Sequence, residues 1–147
     1  MVTIDQVKQL REETAVSVQD CKKALIEAGG DLKKAKEILK KWGKDLAAKK
    51  ASRGTAQGII ASYIHPNKKI GVLLELACET DFVAKSQDFQ NLSHELCLQI
   101  AAFREEIMLL EQPWIKDQAR TIKDLINDYI SKTGENIIIK RFIRYEI

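Results

Sequence analysis

The spacing of apolar positions changes partway along the chain. Through the first 43 residues they recur every three to four places: Ile4, Val7 and Leu10; Val18, Cys21, Leu25 and Ala28; then Leu32, Ala35, Ile38, Leu39 and Trp42. That spacing predicts three amphipathic helices. Their ends are marked as well. Thr3 followed by Gln6 is a capping-box pair, and Thr14-Ala-Val-Ser17 is a short link whose Ser17 can cap the second helix. Gly29-Gly30 ends that helix, Asp31 can cap the third, and Gly43 is predicted to stop it.

Beyond residue 56 the pattern becomes that of strands. Gly58–Ile64 and Ile70–Cys78 are rich in Ile, Val and Leu and flank His65-Pro-Asn-Lys-Lys69, which predicts a β-hairpin. Phe89, Leu92, Leu96, Ile100 and Phe103 then return to helical spacing from about Asp88. A second helix is centred on Ile122, Leu125, Ile126, Tyr129 and Ile130 and closed by Gly134-Glu-Asn136. Ile137 to Ile147 predicts a final strand. The fold class is therefore α+β: residues 1–43 as a three-helix bundle, 44–56 as a charged linker helix, and 57–147 as a ββααβ core with a three-stranded antiparallel sheet. The helices cover one face of that sheet. Its other face would remain apolar, which predicts a partner or a second copy.

Composition narrows the class of protein. No apolar run approaches the roughly 18 residues that a membrane span needs, and the N-terminus reads as a helix start rather than a leader. The three cysteines, Cys21, Cys78 and Cys97, lack CxxC spacing and are odd in number, which predicts largely buried, reduced thiols in a cytosol-like compartment. Net charge is +3, unevenly spread: Lys33 to Arg53 holds nine basic residues against Glu37 and Asp45, leaving −4 elsewhere. Such a stripe suits a solvated helix face or an RNA surface. Few aromatics interleave with it and Trp42 falls on the apolar register, so the solvated face is preferred. A small RNA-binding protein using Lys33–Arg53 is the alternative reading.

Chemistry is sparse. There is no GxxxxGK[ST] phosphate loop, GxGxxG, HExxH or GxSxG motif, and His65 and His94 stand 29 residues apart with no cysteine at metal-ligand spacing. Neither an enzyme nor a cofactor or metal site is predicted. The stretch that asks for explanation is Thr80-Asp-Phe-Val83, between the strand ending at Cys78 and the helix from Asp88. Two readings are open: Asp81 caps a helix while Phe82 enters the core, or Phe82 is an exposed anchor beside a charge.

These residues, taken in order, resemble the elongation factor Ts family. The resemblance is carried by Val7-Lys-Gln-Leu-Arg-Glu-Glu-Thr14, Asp20-Cys-Lys-Lys-Ala-Leu25 and Gly30-Asp-Leu-Lys-Lys-Ala35. It continues through Gly71-Val-Leu-Leu-Glu75, Cys78-Glu-Thr-Asp-Phe-Val-Ala-Lys85, Leu110-Glu-Gln-Pro-Trp114, Lys123-Asp-Leu125, Gly134-Glu-Asn-Ile137 and Arg141-Phe-Ile-Arg-Tyr-Glu146. It implies a ubiquitin-associated-like (UBA-like) three-helix domain, a linker and a core that exchanges guanine nucleotide on elongation factor Tu, without binding nucleotide itself. Carried over, it assigns Arg11, Val18 and Gln19 to docking of the first domain. Asp81 and Phe82 become the principal pair against the partner's nucleotide site, with Thr80 and Val83 in support.

Two departures from the family pattern stand out. Thr14-Ala-Val-Ser17 and Val18-Gln19 replace Thr-Gly-Ala-Gly and an apolar pair, which bears on how the first domain docks. Longer members also carry tens of residues between Ala101-Ala102 and Leu109-Leu110. A short form is expected to pair with itself through the sheet.

Overall fold

The computed structural model describes residues 1–14, 16–103 and 108–147. The chain divides into two compact units, Met1–Lys49 and Lys50–Ile147. The expected link Thr14–Ser17 includes residue 15, and the join between Ala102 and Leu109 includes residues 104–107; both lie partly outside the described residues.

In the first unit, α1 (Ile4–Thr14), α2 (Val18–Glu27) and α3 (Leu32–Lys50) follow one another. Their starts are capped as the sequence predicts. Thr3 and Gln6 exchange bonds at 3.0 and 3.2 Å, Ser17 Oγ accepts from Asp20 N, and Asp31 Oδ1 accepts from Lys33 N at 2.9 Å. The core is Leu10, Cys21, Ala24, Leu25, Ala35 and Leu39, with Val2, Val7, Val16, Ala28, Leu32, Ile38 and Trp42 packed against it. Two details differ from the periodicity. Ile4 is 74% exposed, because Val2, just ahead of the cap, supplies the apolar contact at that end. Gly43 does not stop α3, which runs to Lys50 with Gly43 buried inside it. A helical glycine costs about 1 kcal/mol relative to alanine. The good helix formers Lys44, Leu46, Ala47, Ala48, Lys49 and Lys50 offset that, so no separate linker helix begins at residue 44.

The second unit is built on three antiparallel strands, β1 (Gln57–Ile64), β2 (Ile70–Cys78) and β5 (Ile138–Glu146), in the order β1-β2-β5. A tight turn joins the first two: Lys68 N donates to His65 O at 2.7 Å, and Asn67 Oδ1 accepts from Lys69 N at 2.9 Å. β2 buries Val72, Leu74, Leu76 and Cys78 on one face. Against β1 and β2 packs α5 (Gln87–Ala102), which buries Phe89, Leu92, Leu96 and Ile100. α6 (Ile122–Thr133) packs on α5 and buries Ile122, Leu125, Ile126 and Ile130. β5 also closes the end of α5, where Arg144 Nη2 donates to Ala101 O at 3.0 Å.

Between the helices stands a two-stranded ribbon, β3 (Pro113–Trp114) with β4 (Asp117–Thr121), preceded by a 3-10 turn at Leu109–Glu111. The ββααβ reading did not include it, since a strand of two residues and one of five mostly polar residues carry no period-2 apolar signal. It is tied to α5 by Gln99, which is fully buried. Gln99 Nε2 donates to Gln112 Oε1 at 3.0 Å and Pro113 O at 3.1 Å, and Oε1 accepts from Ile115 N at 3.0 Å.

The sheet's second face is open. Ile60, Ile64, Leu73, Ile143 and Tyr145 are exposed there, around an ion pair of Arg141 and Glu75 at 2.7 Å. The strand registers pair Ile60 with Glu75, Leu73 with Ile143 and Glu75 with Arg141, so these side chains share one side.

Candidate functional site

The corner after β2 is where the second unit presents its most exposed aromatic side chain. Thr80 leaves the strand with extended backbone, φ −124° and ψ 153°, and its hydroxyl accepts from Val83 N at 3.3 Å. It thereby caps α4, a single turn over Asp81–Ala84. A second cap follows at once, with Ser86 Oγ accepting from Phe89 N at 3.2 Å to start α5.

Four residues of α4 thus sit between two fixed caps, and their side chains sort by position. Val83 and Ala84 are buried, while Asp81 is exposed and Phe82 is 86% exposed. The reading in which Asp81 caps the helix and Phe82 folds inward is excluded: Thr80 is the cap, and the Phe82 ring lies in solvent. Asp81 Oδ2 pairs with Lys85 Nζ at 2.7 Å across one turn. That bond and the charge of Asp81 raise the Lys85 pKa above the usual lysine value.

A polar clamp fixes the corner from behind. α6 ends on Gly134 in the left-handed region, φ +74°, where a glycine is strain-free, and Gly134 N bonds back to Ile130 O at 2.9 Å. Lys50 Nζ donates to Gly134 O. The reversal aims Glu135 at the corner. Its Oε1 accepts from Glu79 N at 3.1 Å and Thr80 N at 2.9 Å, and its Oε2 from the Thr80 hydroxyl at 2.6 Å. Glu79 answers in the other direction, its Oε2 accepting from Asn136 N at 2.6 Å. Asn136 is buried and donates to Arg53 O at 3.0 Å, while the Arg53 guanidinium lies 3.7 Å from Glu79. Cys78, beneath, donates its thiol to Thr80 O at 3.2 Å; burial, then the charge of Glu135, pushes its pKa up.

Glu79, Glu135, Asn136 and Arg53 were not singled out by the sequence. Gly134-Glu-Asn136 stood out as the end of a helix and as part of a motif of the resemblance, with no role assigned to its residues, and nothing local links residue 135 to residue 80.

Arg11, Val18 and Gln19 lie in the first unit, in the last turn of α1 and the first turn of α2, and all three are exposed. The corner residues lie in the second unit. Of the seven site residues, Thr80, Asp81, Phe82 and Val83 are brought together in one turn, and Val83 alone is buried. Among the described residues, no three His, Cys, Asp or Glu side chains cluster as metal ligands would, and no helix is long and apolar enough to cross a membrane.

Residues 79–147 match the family model described as Elongation factor TS, a span that opens beside the corner and includes all of the α6–β5 turn. An Elongation factor Ts from Moorella thermoacetica is 41% identical, with 100% of this chain and 96% of the relative aligned. Those of Thermotoga petrophila and Thermotoga maritima are each 41% identical, over 99% of this chain and 96% of the relative. The Moorella alignment runs over 194 positions while this chain has 147 residues, so the relative holds 47 positions with no counterpart here.

Proposed function

The chain belongs to the elongation factor Ts family, and from that premise we propose that it is a guanine-nucleotide exchange factor. It binds the GDP form of elongation factor Tu, disturbs the Mg²⁺ and phosphate site and promotes GDP release during translation elongation. It carries out no covalent chemistry; the nucleotide and its metal belong to the partner.

The observation that carries this reading is Phe82, 86% exposed on a turn fastened at both ends. A benzyl group held in water is an unfavourable arrangement for an isolated fold and a suitable one for docking. Burying it in a pocket of the partner contributes about 1.5–3 kcal/mol. Mg²⁺ demands near-octahedral coordination and gives up its ligands' geometry reluctantly, so a small displacement of the loops that hold it is enough to weaken nucleotide binding. Asp81, beside Phe82, adds a carboxylate able to compete for polar groups there. Coupling is reciprocal: a factor that weakens nucleotide binding is itself displaced by nucleotide. Exchange is therefore accelerated without preference for GDP or GTP.

In this reading the first three helices form a UBA-like docking module using Arg11, Val18 and Gln19. The stretch 44–56 links it to the exchange core at 57–147, although its first residues continue α3. The open sheet face, with Ile60, Leu73, Ile143 and Tyr145, serves pairing with a second copy. An apolar patch broken by a single ion pair is costly to leave in water.

The test is release of a fluorescent GDP analogue from elongation factor Tu. Acceleration by substoichiometric amounts of the chain is expected. Neither binding nor acceleration would overturn the reading and return attention to the lysines of α3 and to RNA.

A further inference from the structure

We propose that Glu135 is a positioning residue for nucleotide exchange: it sets the stance of Phe82 through Thr80 without touching the partner. The role presupposes the exchange activity proposed above.

The argument begins with two unclaimed amides. Sheet pairing ends at Gln57–Cys78 on one side of β2 and at Ala77–Ile138 on the other, so Glu79 and Thr80 have no strand partner. A single carboxylate takes both N–H groups, at 3.1 and 2.9 Å, and the Thr80 hydroxyl at 2.6 Å. Bonds to an ionised acceptor are the stronger kind. Donating to Glu135 also orients the Thr80 hydroxyl so that its lone pair meets Val83 N at 3.3 Å, the bond that caps α4.

A helix of four residues is far too short to hold itself together. Its geometry is inherited from its caps, and the N-terminal cap is held by Glu135. The chain of control runs Glu135, Thr80, α4, Phe82. The reverse bond from Asn136 N to Glu79 Oε2 at 2.6 Å makes the arrangement reciprocal. The strand–helix corner and the α6–β5 turn lock each other across more than fifty residues. A displacement of about 1 Å in a positioned group can cost up to about a hundredfold in rate, so a loosened corner is expected to show in exchange before it shows in stability.

The experiment compares wild type, Glu135→Ala, Glu135→Gln, Phe82→Ala and the Phe82→Ala/Glu135→Ala double variant, by GDP release from elongation factor Tu and by amide hydrogen exchange of the free chain. Glu135→Ala is expected to lower exchange efficiency about tenfold and to speed amide exchange at Glu79 and Thr80. Glu135→Gln keeps a carbonyl acceptor for the two amides but loses the charge and the acceptor for the Thr80 hydroxyl, and is expected to recover part of the loss. In the Phe82→Ala background, Glu135→Ala should cost little more, because its effect passes through the missing ring.

Wild-type exchange by Glu135→Ala, or an undiminished loss in the Phe82→Ala background, would overturn the proposal. If Glu135→Ala does not fold, Glu135→Asp, one methylene short of the amides, carries the same comparison. A wild-type chain that fails to accelerate release sinks the exchange reading and the positioning role with it. Unchanged amide exchange at Glu79 and Thr80 sinks the latch alone.

Discussion

Phe82 and Val83 are adjacent in the chain but stand in opposite surroundings, one 86% and the other 6% exposed. The turn that separates them makes their substitutions separable. Phe82→Ala removes a side chain that contributes almost nothing to the free fold, so its melting temperature should match wild type while GDP release slows by at least about tenfold, the equivalent of the lower end of its burial energy, about 1.5 kcal/mol. Val83→Ala removes two buried methyl groups, worth about 1.5 kcal/mol, and should lower the melting temperature. A Phe82→Ala variant that melts early would show that the ring supports the fold after all.

A second prediction concerns Gln99. Replacing it with Leu keeps the volume but strands Ile115 N, and removes a donor from Gln112 Oε1 and Pro113 O. Each of the three lost bonds is worth about 0.5–1.5 kcal/mol, so a loss of at least about 1.5 kcal/mol in urea unfolding is expected. Amide exchange should rise in β3 and β4 more than in β1 and β2. Uniform loosening of the whole unit would count against a local role.

The thiols give a pH dependence. Burial pushes Cys97 from its ordinary 9.0 up to about 11. Below about pH 9 the folded and unfolded chains both hold that proton. Between pH 9 and 11 the unfolded chain releases it while the folded chain keeps it, so stability falls as pH rises through this window. Urea unfolding at pH 8 and pH 10.5 should show the decline, and Cys97→Ala should reduce its slope. Burial raises Cys21 and Cys78 in the same direction. All three thiols should therefore resist alkylation at pH 8 until the chain is unfolded.

Pairing through the open sheet face predicts a solution mass near twice 16.7 kDa. Leu73→Lys places a charge in the middle of that face, opposite Ile143, and should halve the mass by light scattering without unfolding the chain. A wild-type chain that remains a monomer at micromolar concentration removes the pairing proposal and leaves the corner intact.

Where local chemistry and tertiary structure agree, the chain was readable in advance. Ser17, Asp31 and the Thr3–Gln6 pair cap as predicted because a cap is decided within four residues. β2 runs over Ile70–Cys78 as read, since a long apolar run between a Pro-Asn turn and a polar corner leaves few alternatives. Gly43 was misread for the opposite reason. Glycine lowers helix propensity, but propensity summed over the following residues of α3 outweighs one unfavourable position.

The site divides along the same line. Sequence alone determined that a carboxylate and an aromatic stand together between a strand and a helix, that a hairpin, two helices and a final strand follow in an α+β order, and that no motif for catalysis occurs. Which of residues 81–84 face water was decided by the one-turn helix, and that helix depends on Glu135 reaching Thr80 from 55 positions away. Periodicity reports the burial of each element against its own axis. A hydrogen bond between two loops distant in sequence has no period to report, and it exists only once α6 has packed on α5 and Gly134 has turned the chain back towards the corner.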